Sequence, residues 1–113
     1  MSSHINNLLE SQAFQSAKAA LLHAIEIETA KIKEIGPSHV SLRDKFTKLL
    51  SDFQKNRGRD LYYPFIGSGL GSGPFVELMD GSVKYDMITG IGINFFGHTH
   101  PEYMSEIIDG LSA

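Results

Sequence analysis

Between Ile5 and Ile35 apolar residues recur every three or four positions, through Leu9, Phe14, Leu21, Leu22, Ile25 and Ile32. That spacing puts them on one face of an amphipathic helix. Gly36-Pro37-Ser38 is predicted to stop it, because proline cannot continue the hydrogen-bond ladder and glycine accepts a left-handed cap. A second helical run comes next, with Val40, Leu42, Phe46, Leu49, Leu50 and Phe53 on one face. Ser41 is its expected N-cap, with Asp44 three residues on, and Gly58 its expected end. Residues 1–57 are thus predicted to form a helical hairpin, an N-terminal extension to residues 58–113.

The pattern changes in residues 58–113, which hold ten of the eleven glycines and three of the four prolines. The run from Phe65 to Pro74 carries Gly67, Gly69, Gly71 and Gly73 and reads as a flexible connector. Two apolar runs, 75–79 and 83–88, flank Asp80-Gly81-Ser82. Asp-Gly between such runs predicts a β-hairpin, since glycine accepts the positive φ of a tight turn. Residues 89–97 read as a loop or a short buried strand. Pro101 followed by Glu102 opens a last helix with Met104, Ile107, Ile108 and Leu111 on its buried face. That helix ends the sequence without a cap, which predicts a natural chain that continues. The fold class expected for this piece is α+β: two N-terminal helices, a short antiparallel hairpin and a C-terminal helix. A hairpin alone is marginal in water, so residues 58–113 are expected to need further polypeptide or a dimer.

Composition narrows the function classes. The chain has 113 residues, a formal net charge of -3 and mixed acids and bases without a basic stripe. Nucleic acid is therefore a poor partner. The sequence has no cysteine, which removes disulfide and thiol chemistry. No apolar run approaches the roughly 20 residues of a membrane span, and residues 1–10 lack the features of a secretory signal. The expected setting is cytoplasmic.

Three local features invite chemistry. The glycine run invites phosphate binding, but a P-loop needs Lys and then Ser or Thr after its last glycine, where Pro74-Phe75 stands. A dinucleotide fingerprint starting at Gly67 and Gly69 would need glycine at Ser72. Gly97-His98-Thr99-His100 invites a metal and looks like the Gly-His-Thr-His element of calcineurin-like metallophosphoesterases. The earlier aspartate, histidine and asparagine ligands of that family have no counterparts here, and two imidazoles do not fill a coordination sphere. The plainer expectation is that His100 caps the last helix and His98 makes a structural hydrogen bond. Asp80 and Asp86 are expected to do turn or solvent chemistry. His4, His23 and His39 lack ligand spacing and are expected at the surface.

Taken as a set, residues 71–101 are more specific. The patterns Gly71-x-Gly73-x-x-Val76, Asp80-Gly81-x-x-x-Tyr85-Asp86, Gly90-Ile91-Gly92-Ile93-Asn94 and Gly97-His98-x-His100-Pro101 resemble the opening of class III pyridoxal-phosphate-dependent aminotransferases. That family acts on acetylornithine, ornithine, 4-aminobutyrate and glutamate-1-semialdehyde, and starts with a small Asp-Gly hairpin. Order and gaps agree over about 31 residues; residues 1–60 fall outside the resemblance.

The resemblance implies a parent with the fold-type I α/β architecture, residues 58–113 opening its small domain. It implies a homodimer and ping-pong transfer of an amino group between an amine or ω-amino acid donor and a 2-oxo acid. It places Ile91 on the substrate side of the active site, where an apolar side chain would meet a donor's methylene chain. Gly90 and Gly92 would let the backbone pass close to ligand or partner subunit. Leu61, Tyr62 and Tyr63 lie near a second substrate-contact region of the family. Pyridoxal 5'-phosphate would be held by a lysine, an aspartate and a phosphate cup downstream of Gly-His-x-His-Pro. The last lysine here is Lys84, upstream of that motif, so no catalytic or cofactor-binding residue is assigned and the piece alone is expected to be inactive. Two other readings stand beside this one: a non-enzymatic dimerisation or interaction fragment, and a metal-dependent hydrolase built on His98 and His100.

Overall fold

The computed structural model describes residues 3–111. The helical pattern becomes two helices joined at a serine. Ser3 caps α1 (His4–Glu10), its hydroxyl accepting the Asn6 N–H at 3.3 Å. Ser11 ends that helix in an extended conformation and caps α2 (Gln12–Thr29), accepting the Phe14 N–H at 3.2 Å. A serine at this point offers the backbone an alternative to the helical ladder. Helix α2 stops at Thr29, earlier than Gly36-Pro37 predicts. The early exit turns Ile32 inward, to 8% exposure. It also frees Gly36 to exchange two backbone hydrogen bonds with Val83, at 3.0 and 3.1 Å.

A single 3-10 turn, Val40–Leu42, leads into α3 (Arg43–Arg57). Ser41 sits inside that turn, so Leu42 holds the N-cap position without a side-chain bond. The other end agrees with expectation: Gly58 is left-handed at φ 80° and donates its N–H to the Gln54 carbonyl at 2.8 Å.

The sheet is antiparallel, in the order β1 (Gly67–Ser72), β2 (Phe75–Leu78), β3 (Val83–Tyr85). The Asp-Gly hairpin is present as predicted. Asp80 Oδ1 accepts from Ser82 N at 2.9 Å and Ser82 Oγ at 2.6 Å, and Gly81 takes φ 80°. Burial alone would raise the Asp80 pKa, but the two hydrogen bonds from Ser82 and the nearby Lys84 charge outweigh it and lower the value. Strand β1 departs from expectation, because the glycine run reads as a connector. Its pairing comes from β2, with Gly71 opposite Val76, Ser72 opposite Phe75, and an irregular stretch between Gly67 and Gly71. Ser68 Oγ donating to Glu77 at 2.7 Å adds a cross-strand tie.

Helix α4 (Pro101–Leu111) begins at the predicted proline and packs on α2, where Lys18 Nζ pairs with Asp109 at 2.8 Å. The architecture is therefore α+β: N-terminal helices, a three-stranded antiparallel sheet and a C-terminal helix. No helix among the described residues is long and apolar enough to cross a membrane.

The core is thin. Among the described residues the buried hydrophobic side chains are Ile32 and Leu78. The radius of gyration is 17.6 Å, against about 13 Å for a compact domain of this length. Large apolar side chains therefore stay in water, and they concentrate at Met87, Ile88, Ile91, Ile93, Phe95 and Phe96. A run of exposed apolar side chains of this kind is a candidate interaction surface or binding site.

Candidate functional site

The exposed apolar segment is a loop whose two ends are fastened to one turn. The backbone N–H of Asp86 donates to the Pro74 carbonyl at 2.8 Å, and that of His98 to the adjacent Gly73 carbonyl at 2.9 Å. Thr99 Oγ1 accepts the Gly71 N–H at 3.2 Å. Close approach explains the glycines here. A Cβ at Gly71 would lie 2.5 Å from His98 Cβ and 2.6 Å from the Phe75 carbonyl oxygen. One at Gly97 would lie 2.8 Å from Gly73 Cα. The Gly71-x-Gly73 and Gly97-His98 patterns are thus two halves of one contact.

Side chains close the same base. His98 Nε2 lies 2.8 Å from Asp86 Oδ2. The other carboxylate oxygen accepts the N–H groups of Ile88 and Thr89, at 3.0 and 2.8 Å. His98 therefore makes the structural hydrogen bond expected of it, and Asp86 does turn chemistry just past β3. The hydrogen bond from His98, followed by that from the Thr89 N–H, holds the Asp86 carboxyl below the usual aspartate range; burial works weakly the other way.

The sign of the resulting pH effect comes from the depressed value. The unfolded chain takes up the proton first. The stability from Asp86 is fully present above its unfolded pKa of about 3.9 and is lost as pH falls through the lower folded value. Melting temperatures of wild type and Asp86→Asn should therefore differ at neutral pH and converge in acid. A difference that stays constant into acid would remove Asp86 from the account.

Beyond Asp86 the backbone turns tightly. Thr89, Gly90, Ile91 and Gly92 all have positive φ, at 55°, 61°, 59° and 88°. Ile91 N donates to the Ile88 carbonyl at 3.0 Å and Asn94 N to that of Thr89 at 2.8 Å. A β-branched residue at positive φ is a backbone outlier, and such strain concentrates at functional positions. Ile91 is also 92% exposed, so its side chain is displayed rather than packed. Gly92 has open space around it, whereas a Cβ at Gly90 would meet the Asn94 amide at 3.2 Å.

The other candidate residues form separate groups. Tyr62 and Tyr63 meet edge to face at 4.7 Å, and Tyr63 stacks on Phe65 at 6.1 Å. Leu61 lines a cavity of about 250 Å³ with Leu50, Gln54, Asp60 and Pro64, at the end of α3. His100 occupies the N-cap position of α4, its carbonyl accepting the Met104 N–H at 3.0 Å. Its ring joins a three-ring cluster with Phe96 and Tyr103, with Nδ1 buried and without a partner. His98 and His100 thus serve different neighbourhoods. Among the described residues no three His, Cys, Asp or Glu side chains converge as metal ligands. Sequence reasoning missed the pairing of Asp86 with His98 and the role of Thr99, because neither carries a local spacing signal.

No protein-family model matches the chain, and no solved structure matches it significantly. One relative among curated proteins comes from Pyrococcus furiosus and is named as a LysW-aminoadipate semialdehyde/glutamate semialdehyde transaminase. It is 44% identical over 41 residues, which is 36% of this chain and 11% of the relative. The chain has distant partial similarity to a class III transaminase. It matches about a tenth of that relative's length.

Lys18 is engaged by Asp109 and Lys31 by Glu28, and the Lys84 ammonium lies over the Phe65 ring, 5.4 Å from its centre. Both oxygens of the Asp86 carboxylate are taken up within the loop.

Proposed function

We propose that this chain is part of a class III pyridoxal-phosphate-dependent transaminase, whose cofactor is held by residues of a longer polypeptide. The reaction moves an amino group between an amine or ω-amino acid donor and a 2-oxo acid. The carrying observation is the 41-residue stretch of 44% identity to a transaminase, in a chain that bears the ordered patterns of residues 71–101. The relative's name concerns semialdehydes, and aminating a terminal aldehyde is the reverse of drawing nitrogen from an ω-amino acid. The donor class and the name thus agree chemically.

In this reading Ile91, between Gly90 and Gly92, lines the donor side of the pocket. The apolar 87–96 segment packs against the remainder of the polypeptide and across a homodimer interface, in the cytoplasm. The thin core supports an incomplete unit of this kind. The test is an amino-transfer assay on the longest polypeptide that carries these residues, loaded with pyridoxal phosphate. Glutamate should form from 2-oxoglutarate with at least one ω-amino donor. No transfer from any ω- or α-amino donor overturns the reading.

The same exposed apolar segment favours a second reading, a non-enzymatic fragment that self-associates. Light scattering behind size exclusion tests this second reading: a strictly monomeric 113-residue chain counts against self-association.

A further inference from the structure

We propose that Asp86 and His98 form a positioning latch for the 87–97 loop, setting how Ile91 is presented. The donor-contact part of this inference rests on the function proposed above; the latch itself does not. Three layers of geometry carry it. The ends of the loop attach to adjacent carbonyls, Pro74 for Asp86 and Gly73 for His98. The two side chains then bond each other across those ends at 2.8 Å. Finally, the carboxylate oxygen facing away from His98 takes the N–H groups of Ile88 and Thr89. Those two residues offer their carbonyls to Ile91 and Asn94. A chain of hydrogen bonds thus runs from the imidazole through the carboxylate to Ile91.

The latch does not depend on imidazolium. Neutral histidine with the proton on Nε2 donates the same bond. The backbone around Ile91 needs such support, because four consecutive positive-φ residues have no regular ladder to hold them. A carboxylate that accepts three hydrogen bonds at the loop base supplies it. Asp86 and His98 act through the loop and are positioning residues, not an acid–base pair.

The experiment uses His98→Ala, His98→Gln and Asp86→Asn in the protein that carries this chain. Glutamine places an amide N–H where Nε2 stands, so it should restore the bond that alanine removes. In His98→Ala, amide exchange at Ile91 and Asn94 should accelerate about tenfold with exchange in β2 unchanged, and His98→Gln should lie within about threefold of wild type. Where amino transfer is measurable, His98→Ala should raise the donor KM about tenfold with kcat within about twofold. Unchanged exchange in His98→Ala, equal acceleration in β2, or His98→Gln as fast as His98→Ala would each overturn the latch. If His98→Ala does not fold, Asp86→Asn decides. Its amide keeps the two loop acceptor bonds but alters the partner for His98, so about threefold faster exchange is expected and no change overturns the proposal. Absent transaminase activity with latch-dependent exchange would reject the proposed function and leave the latch standing.

Discussion

Gly97→Ala should destabilise the protein by about 2–4 kcal/mol, combining overpacking with left-handed strain. The added Cβ meets Gly73 at three backbone atoms, Cα at 2.8 Å, O at 3.0 Å and C at 3.1 Å. A flexible side chain could swing away, but the 73–74 turn is tied to both Asp86 and His98 by backbone hydrogen bonds and cannot. Gly97 also has φ 93°, where an alanine is strained before any contact is counted. Gly69 separates the two contributions. It has φ 97° but nothing within 4 Å of a built Cβ. Gly69→Ala should therefore cost only about 1 kcal/mol, the conformational part alone. Denaturant unfolding of the two variants checks the ordering. Equal losses would mean that the loop base is not docked on the 73–74 turn.

That docking shows why part of the fold is legible in sequence and part is not. The helices announce themselves through period, and α4 starts at Pro101 because proline at the first turn satisfies purely local rules. The Asp80-Gly81 turn is equally local, closed by bonds within three residues. Strand β1 has no such signal. Three of its six residues are glycine and none is β-branched, so its conformation is imposed by β2. Helix α2 likewise ends at Thr29, short of Gly36, which pairs with Val83 instead of capping a helix. Ser11 carries a local signal that apolar periodicity hides: a serine ahead of a helical run is an N-cap candidate, and here it divides one periodicity between two helices.

The candidate site divides in the same way. Gly71, Gly73, Gly97, His98 and Pro101 form a pattern along the chain, yet their physical relation is non-local. Asp86 and His98 stand twelve residues apart and meet across the base of the loop. Spacing offers His98 and His100 as neighbouring ligands; packing sends one to a carboxylate and the other against Phe96 and Tyr103. Sequence suggests Ile91 through resemblance alone. The structure adds two independent physical facts, its positive φ and its display to solvent.

Those facts yield a paired expectation at Ile91. An isoleucine that is 92% exposed gains little from packing and bears left-handed strain. Asparagine tolerates that conformation without the extra unfolded-chain entropy of glycine, so Ile91→Asn should stabilise the protein by up to about 1 kcal/mol. If Ile91 faces the donor, the same change must disturb selectivity, since a polar head replaces the surface that meets methylene groups. Ile91→Tyr goes further, adding bulk and a hydroxyl. It should change the ratio of kcat/KM between methylene-rich and polar donors by about 10–100-fold. Thermal melts and a donor panel on the same variants read the two effects separately. Higher stability with altered discrimination would identify strain retained for binding. Higher stability with an unaltered donor ratio would remove Ile91 from the donor pocket and shift its role to the apolar interface formed by the rest of the loop.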